Sequence, residues 1–416
     1  MINIGLLGFG TVGSGVYELI TNYKALKNHT DEEVVISKIL IKDLSKKRNS
    51  KVPKELFTDN FREVVNNPQI DIIIEAISGF NPAYTFLVES LERGKHVVTA
   101  NKAVVAKHLK SLLALAEKNH KGFFFEASVG GGIPIIKPLK HHSAFNEMKE
   151  VKGILNGTSN FILTQMNDND LTFEGALTLA QQLGYAETDP SDDIKGYDVR
   201  RKLAILSSIA FKKQVSEEMI TCRGIDYVTS FDMSIFKTMD CTVKLLGKAI
   251  NSNNRVSASV EPVLMKNDSS LSKIKNACNL ISVTGNIVGE LQFVGEGAGK
   301  NPTANAIICD VIDILGETYK HDNLLSKRLD STVTIQHVAS KYYVRLSPYN
   351  YNYKGTLVKA LEEKSWIKKV LSYDKDIVLF TEKLSLIELE ENIQHLKFMY
   401  KSSCYVRLEE DIEIKA

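Results

Sequence analysis

The stretch Ile2-Asn3-Ile4-Gly5-Leu6-Leu7-Gly8-Phe9-Gly10-Thr11-Val12-Gly13 sets an apolar run of strand type directly before a complete G-x-G-x-x-G turn that leads into a helix. Gly8 permits the tight turn, Gly10 removes the side chain that would block a pyrophosphate, and Gly13 lets the helix pack closely on the strand. Unpaired N–H groups at the helix start then face the phosphates. Glycines also serve turns for purely steric reasons, so the flanking strand and helix carry the inference. Together they point to a dinucleotide-dependent enzyme.

Working outward, the chain has 416 residues, which suggests two or three domains and a large buried core. Lys+Arg 52 against Asp+Glu 50 leaves +2, so the charge balance asks for no nucleic acid and no anionic membrane; a small-molecule substrate fits better. The five cysteines, Cys222, Cys241, Cys278, Cys309 and Cys404, are widely spaced and form no C-x-x-C pair. They read as reduced thiols in a cytoplasmic protein. The first strand begins beside Met1, which leaves no room for a targeting peptide, and no apolar run approaches a membrane span.

From Met1 to about Ser128, short β-rich runs alternate with amphipathic stretches, as in a doubly wound parallel sheet. Strands are expected at Asn3–Leu7, Val34–Ile41, Asp71–Ala76, His96–Thr99 and Gly122–Glu126, with a helix over Ala103–Asn119. After Gly130-Gly131-Gly132 a second, α+β domain runs to about residue 318. Residues 342–416 then read β-α-β-β-α-β, the order of a small ferredoxin-like module. Its expected strands are Tyr342–Leu346, Ile367–Leu371, Ile377–Thr381 and Tyr405–Glu409, with helices at Leu357–Glu363 and Leu384–Leu396.

An acid closing the second strand suits the ribose hydroxyl of NAD, whereas a cation suits the extra phosphate of NADP. Here Lys42 and Asp43 are followed by Lys46, Lys47 and Arg48. The charges favour NADP and leave NAD open, because such a run also serves as a solvated turn. Thr99-Ala100-Asn101-Lys102-Ala103 follows a strand end, where ligands of open α/β sheets sit, and so places Lys102 near the nicotinamide unless it is merely a surface lysine.

Glu187, Asp189, Asp192, Asp193 and Asp198 crowd into one loop and the next helical turn. Such a cluster needs a cation, whether a metal, basic side chains or the ammonium of an amino-acid substrate; without the alternating oxygens and glycine of a hard-metal loop, the ammonium is preferred. For Asp189 and Asp192 the plainer role is capping and loop solvation. Asp198 and Lys202 are four apart, in line with Ile205 and Ile209, while Val199, Leu203, Leu206 and Ala210 form an adjoining stripe. A polar pair on so apolar a helix is expected to be partly buried rather than a solvated ion pair. Desolvation and a nearby cation lower a lysine's pKa from about 10.4, which makes such a residue an acid or base.

With these residues in view, the chain resembles homoserine dehydrogenase along nearly its whole length. The likeness is carried by the Gly8–Gly13 turn, Ala100–Ala103, Glu126–Pro134, Leu155-Asn156-Gly157-Thr158-Ser159-Asn160, Gly184–Lys202 and Gly295–Ala304. The resemblance implies interconversion of L-aspartate 4-semialdehyde and L-homoserine with a nicotinamide cofactor, on the route to threonine, methionine and isoleucine. It implies a Rossmann domain over 1–130 with about 300–320, a substrate-binding and dimerisation domain over 131–318, and an ACT-like module over 340–416. Lys202 and Lys102 would be catalytic with Asp198, and Glu187, Asp193 and Asp198 would bind substrate. Gly8, Phe9, Gly10, Thr11, Val12, Gly13, Lys42, Ser78, Lys102, Gly184 and Gly297 would line the cofactor. Glu126, with the carbonyls of Val129, Gly131 and Ile133, would hold a monovalent cation of the sodium type; the plainer role of that loop is a tight turn. Pro302 is expected at the first position of a helix after Gly297. A homodimer is implied as well.

The loop Ser347–Gly355 lacks the Asp-x-Pro-Gly turn of ligand-binding ACT modules, so a packing or assembly role is preferred to threonine control. Lys42 keeps a cation where many relatives carry arginine, without the bidentate grip on phosphate. A monofunctional enzyme is expected. The rival of a phosphorylating semialdehyde dehydrogenase needs a nucleophilic cysteine in the catalytic region, and Cys222 comes too late. A non-catalytic cofactor sensor would have no use for Lys102, Lys202 and the acidic cluster together.

Overall fold

The computed structural model describes residues 1–22, 33–46, 51–253, 255–321, 329, 333–335, 337–349, 352, 354–412 and 414. Lys47 and Arg48 of the basic run, and positions 350, 351 and 353 of the tyrosine-rich loop, lie outside the described residues. In chain order the first elements are β1 (Ile2–Leu7), α1 (Thr11–Asn22), β2 (Val34–Leu40), β3 (Phe57–Thr58), α2 (Phe61–Val65), β4 (Ile70–Glu75), α3 (Ala83–Glu92), β5 (His96–Thr99), α4 (Lys102–Lys118) and β6 (Phe123–Phe124). Then come α5 (Ile136–Phe145), β7 (Met148–Ile154), α6 (Gly157–Asp168), α7 (Phe173–Gln182), α8 (Ser191–Ile194), α9 (Tyr197–Phe211), β8 (Thr221–Cys222) and α10 (Ser230–Thr238). The rest are β9 (Cys241–Ser252), β10 (Arg255–Lys266), β11 (Cys278–Gly285), β12 (Gly289–Glu296), α11 (Lys300–Leu315), β13 (Thr334–Ile335), β14 (Tyr342–Pro348), α12 (Lys354–Glu362), β15 (Ile367–Ser372), β16 (Ile377–Thr381), α13 (Leu386–Gln394) and β17 (Tyr400–Leu408).

Two compact units emerge, one of Met1–Val151, Arg201–Glu217 and Ile281–Val333, the other of Lys152–Arg200, Glu218–Leu280 and Thr334–Ala416. The first contains a parallel sheet ordered β3-β2-β1-β4-β5-β6, the doubly wound arrangement of a Rossmann fold. Its central strands are near-continuous apolar runs because helices cover both faces. The strand expected through Glu126 is only Phe123–Phe124, since Glu126–Ser128 turns into a 3-10 helix. Helix α11 returns to this unit and packs on α1 at Gly15, where a Cβ would stand 2.9 Å from the Lys300 side chain and 3.2 Å from that of Ala304. Ile4, Leu6, Val16 and Ile74 share one core with Ala304, Ile307 and Val311.

In the second unit the strands run β9-β10-β17-β14-β16-β15. The last four form an antiparallel sheet built from the βαββαβ segment, over a core that includes Tyr342, Val344, Leu346, Leu357, Ile377, Leu379 and Leu389. Its fourth strand begins at Tyr400, earlier than the expected Tyr405, and pairs in parallel with β10 at Val263–Leu264. Among the described residues, no helix is long and apolar enough to cross a membrane.

Candidate active site

At the β1–α1 turn the glycines differ in their surroundings. Gly8 has φ +99°, and a Cβ there would stand 2.5 Å from the Ala76 carbonyl oxygen. A Cβ on Gly13 would stand 2.1 Å from the Gly8 carbonyl oxygen, so α1 could not sit where it does. Around Gly10, by contrast, nothing lies within 4 Å, which leaves the approach needed by a diphosphate. Phe9 packs edge-on against Tyr17 and Phe57. Ser78 is exposed beside Gly79, whose φ is +88° and whose surroundings are also open. Lys42 is exposed, while Asp43 turns inward on its own loop and accepts the Ser45 N–H at 2.8 Å and hydroxyl at 2.7 Å.

The ends of β4 and β5 are tied by a buried polar network. Glu75 accepts the Ile77 N–H at 2.7 Å and the Thr99 hydroxyl, and Thr99 Oγ1 accepts the Asn101 N–H at 3.0 Å. Asn101 donates to the carbonyls of Ile77 at 3.2 Å and Gly79 at 2.7 Å, while its Oδ1 caps α4 through the Val104 N–H at 3.2 Å. This network fixes the start of α4, whose first residue is the half-buried Lys102. Burial pushes the Glu75 carboxyl up to about 7, against the lowering effect of its hydrogen bonds.

The acidic segment divides by role. Asn156 caps α6 and donates from Nδ2 to Asp193 at 2.6 Å and to Asp198 at 2.9 Å, bringing those two carboxylates together. Thr158 donates to the Tyr185 carbonyl at 2.6 Å and Gln181 to the Glu187 carbonyl at 3.1 Å, which hold the loop beside α6 and α7. Gly184, with φ +77°, ends α7, and the Glu187 side chain is exposed. Asp189 instead accepts the Ser191 N–H at 3.1 Å and hydroxyl at 2.5 Å at the start of α8, and those bonds hold its carboxyl below the usual range. Asp198 and Lys202, one turn apart on α9, are 1% and 7% exposed, and both flanking stripes are buried, so the solvated ion pair does not apply. Neither Asn156 nor Glu75 stood out in the sequence as a site residue. An asparagine before Gly-Thr-Ser at a helix start is an N-cap signal, and it is the cue that would have found Asn156.

In the Glu126 loop the carboxylate accepts three amides at the start of α5, from Ile135 at 2.6 Å, Ile136 at 2.7 Å and Lys137 at 2.9 Å. The Glu126 N–H donates to Asp310 at 2.9 Å, and burial raises both carboxyls. This side chain is therefore engaged by the N-terminal amides of α5. Gly130 and Gly131 have φ +77° and +55°, a left-handed backbone that suits glycine in a tight turn. A Cβ on Gly131 would stand 2.5 Å from the Gly297 carbonyl carbon, and the Gly132 N–H donates to Glu296 O at 3.0 Å, so the two glycine loops touch. Helix α11 starts at Lys300 after Gly299, so Pro302 sits at the third helical position rather than the first; the amide it lacks would still be unpaired there. Among the described residues, no three His, Cys, Asp or Glu side chains gather as a metal site.

Residues 8–126 match the family model of the homoserine dehydrogenase NAD-binding domain, and residues 134–312 match that of homoserine dehydrogenase. The homoserine dehydrogenase of Bacillus subtilis is 41% identical over 315 residues, covering 76% of this chain and 73% of its own. A solved homoserine dehydrogenase from Thiobacillus denitrificans superposes with TM-score 0.87 at 33% identity, covering 98% of both chains. A hyperthermophilic archaeal homoserine dehydrogenase solved in complex with NADPH gives TM-score 0.63 at 27% identity, over 75% of this chain and 97% of that one.

Proposed function

The chain belongs to the homoserine dehydrogenase family of nicotinamide-dependent oxidoreductases, and from that premise we propose how its residues interconvert L-aspartate 4-semialdehyde and L-homoserine. The observation that carries the reading is the burial of Lys202 one turn from buried Asp198 on α9. A charged pair is kept from water at such cost only when it has a task or a partner. Lys202 gives a proton to the substrate oxygen as the aldehyde is reduced and takes it back as the alcohol is oxidised, so negative charge on that oxygen is stabilised as it grows. Asp198 orients the ammonium of Lys202. Lys102, set by the Asn101 cap, is the second catalytic lysine, and Glu187, Asp193 and Asp198 hold the amino group of the substrate.

When bound, the nicotinamide cofactor supplies or accepts the hydride. Gly8 to Gly13, Ser78, Lys102, Gly184 and Gly297 line its place, with the N-terminal amides of α1 on the phosphates. NADP is the preferred cofactor, because Lys42 is exposed at the end of β2 while Asp43 is engaged by Ser45. A sodium-type cation would be held by Glu126 with the main-chain carbonyls of Val129, Gly131 and Ile133, where it would fix the glycine turn. The same reading includes the three-domain division, a homodimer, a cytoplasmic location, and an ACT-like tail that packs without binding threonine.

Oxidation of L-homoserine at alkaline pH by the purified protein tests this, with NAD and NADP at matched concentrations. Lys202→Ala is expected to lower kcat by a factor of about 100 to 10,000 while the dissociation constant of the cofactor stays within twofold. Retained turnover, or an equal loss of cofactor affinity, would remove Lys202 from the proton-transfer step. Faster rates with NAD would overturn the cofactor preference alone.

A further inference from the structure

The carboxamide of Asn156 is buried, and three neighbours define its role. Its Oδ1 accepts the Ser159 N–H at 2.8 Å, while Nδ2 donates to Asp193 Oδ1 at 2.6 Å and to Asp198 Oδ2 at 2.9 Å. Carboxylates only accept and a main-chain N–H only donates, so a single orientation of the amide satisfies all three. As a helix cap alone, serine, threonine or aspartate would serve about as well. Among these only asparagine also carries two N–H donors, and both go to acids that helix capping does not involve.

We propose that Asn156 is a positioning residue for substrate binding: its NH2 group holds Asp193 and Asp198 at the spacing that one ammonium bridges, an inference that rests on reading those acids as the ammonium site. On a trigonal nitrogen the two accepting oxygens stand roughly 5 Å apart. An ammonium spans that gap with charge-assisted hydrogen bonds of about 2.8 Å on each side. The two donated bonds also offset the repulsion between neighbouring carboxylates, which would otherwise push one of them toward its protonated form. Thr158, two residues on, holds the Tyr185 carbonyl at 2.6 Å, so the start of α6 grips the acidic segment at two separated points.

Two variants that keep the cap test this in the full-length enzyme. Asn156→Ser removes both donors, and Asn156→Asp adds a third carboxylate in the same volume. The expected result is a KM for L-homoserine raised about tenfold in Asn156→Ser and about a hundredfold in Asn156→Asp, with kcat changed less. The KM for the cofactor stays within about twofold in both variants; in Asn156→Ser, which keeps the cap without adding charge, the melting temperature stays near that of the parent, whereas Asn156→Asp, with three carboxylates together, melts lower. The acid limb of kcat/KM moves to higher pH. An unchanged KM and pH profile in both variants would overturn the proposal, as would a parallel loss of cofactor affinity and melting temperature in Asn156→Ser. Asp193→Asn and Asp198→Asn, measured alongside, separate the levels: if they leave the homoserine KM unaltered, the ammonium site itself is wrong; if they raise it while the Asn156 variants do not, only the positioning role falls.

Discussion

Glu75 ends a central strand, held by a backbone amide and a threonine hydroxyl. Burial raises its carboxyl from 4.5 to about 7, so between those values the native protein keeps a proton that the unfolded chain releases. The stability contributed is therefore fully present below pH 4.5 and is lost as the pH rises through 7, on the order of 3 kcal/mol in all. Glu75→Gln retains an acceptor for the Ile77 N–H and cannot ionise. Its stability in urea relative to the parent is expected to climb between pH 5 and 7 by about 1.4 kcal/mol per unit and then to level off. Parallel curves for the two proteins across that range would show that the carboxyl is ionised throughout. The sequence concealed this residue because Ile72-Ile73-Ile74-Glu75 reads as a buried strand that meets water at its end. Only the fold discloses that Thr99 and Asn101 close over the carboxyl.

At the scale of elements, β1, its turn and α1 were legible because three glycines at fixed spacing stand between an apolar strand and a helix. The geometry separates their tasks: Gly13 is closed by the Gly8 carbonyl oxygen 2.1 Å from its ideal Cβ, whereas Gly10 is open. Gly13→Ala is thus expected to force α1 off β1 and to cost about 1–3 kcal/mol, read as a lower urea midpoint. Gly10→Ala is expected to unfold where the parent does yet to bind the dinucleotide at least tenfold more weakly, because its methyl group stands where the pyrophosphate approaches. Equal stability losses in the two variants would mean that the turn is built for packing alone. Element ends were less legible. The 3-10 turn at Glu126 cut short the sixth strand, and the side chain that reads as a cation ligand is engaged by the α5 amides; that outcome depends on residues 135 to 137 folding back beside it.

For the molecule as a whole, the C-terminal βαββαβ order was visible, since its strands and helices alternate at clear intervals, but its anchoring within the second unit was not. Tyr342, Val344 and Leu346 of β14 face the module's own core, and alternation assigns Tyr343, Arg345 and Ser347 to solvent. They are buried instead. Asp232 of α10 accepts the Tyr343 hydroxyl at 2.7 Å and Arg345 Nε at 2.8 Å, and Arg345 also donates to the Tyr227 carbonyl at 3.1 Å. Arg407 of β17 meets Glu261 of β10 at 3.0 Å where the two strands pair. Strand pairing and buried ion pairs therefore join the module to the rest of its unit. Arg345→Met strands the Asp232 charge and is expected to lower stability by about 3–5 kcal/mol, whereas Arg345→Met with Asp232→Asn recovers part of that loss because no charge is left buried alone. Urea unfolding of the single and double variants measures both. With a packing module, L-threonine should leave homoserine oxidation by the parent unchanged, and the Arg345 variant should keep its homoserine KM wherever it stays folded. Threonine inhibition of the parent that disappears in Arg345→Met would assign the module a regulatory task, with the buried arginine as its link to the catalytic residues.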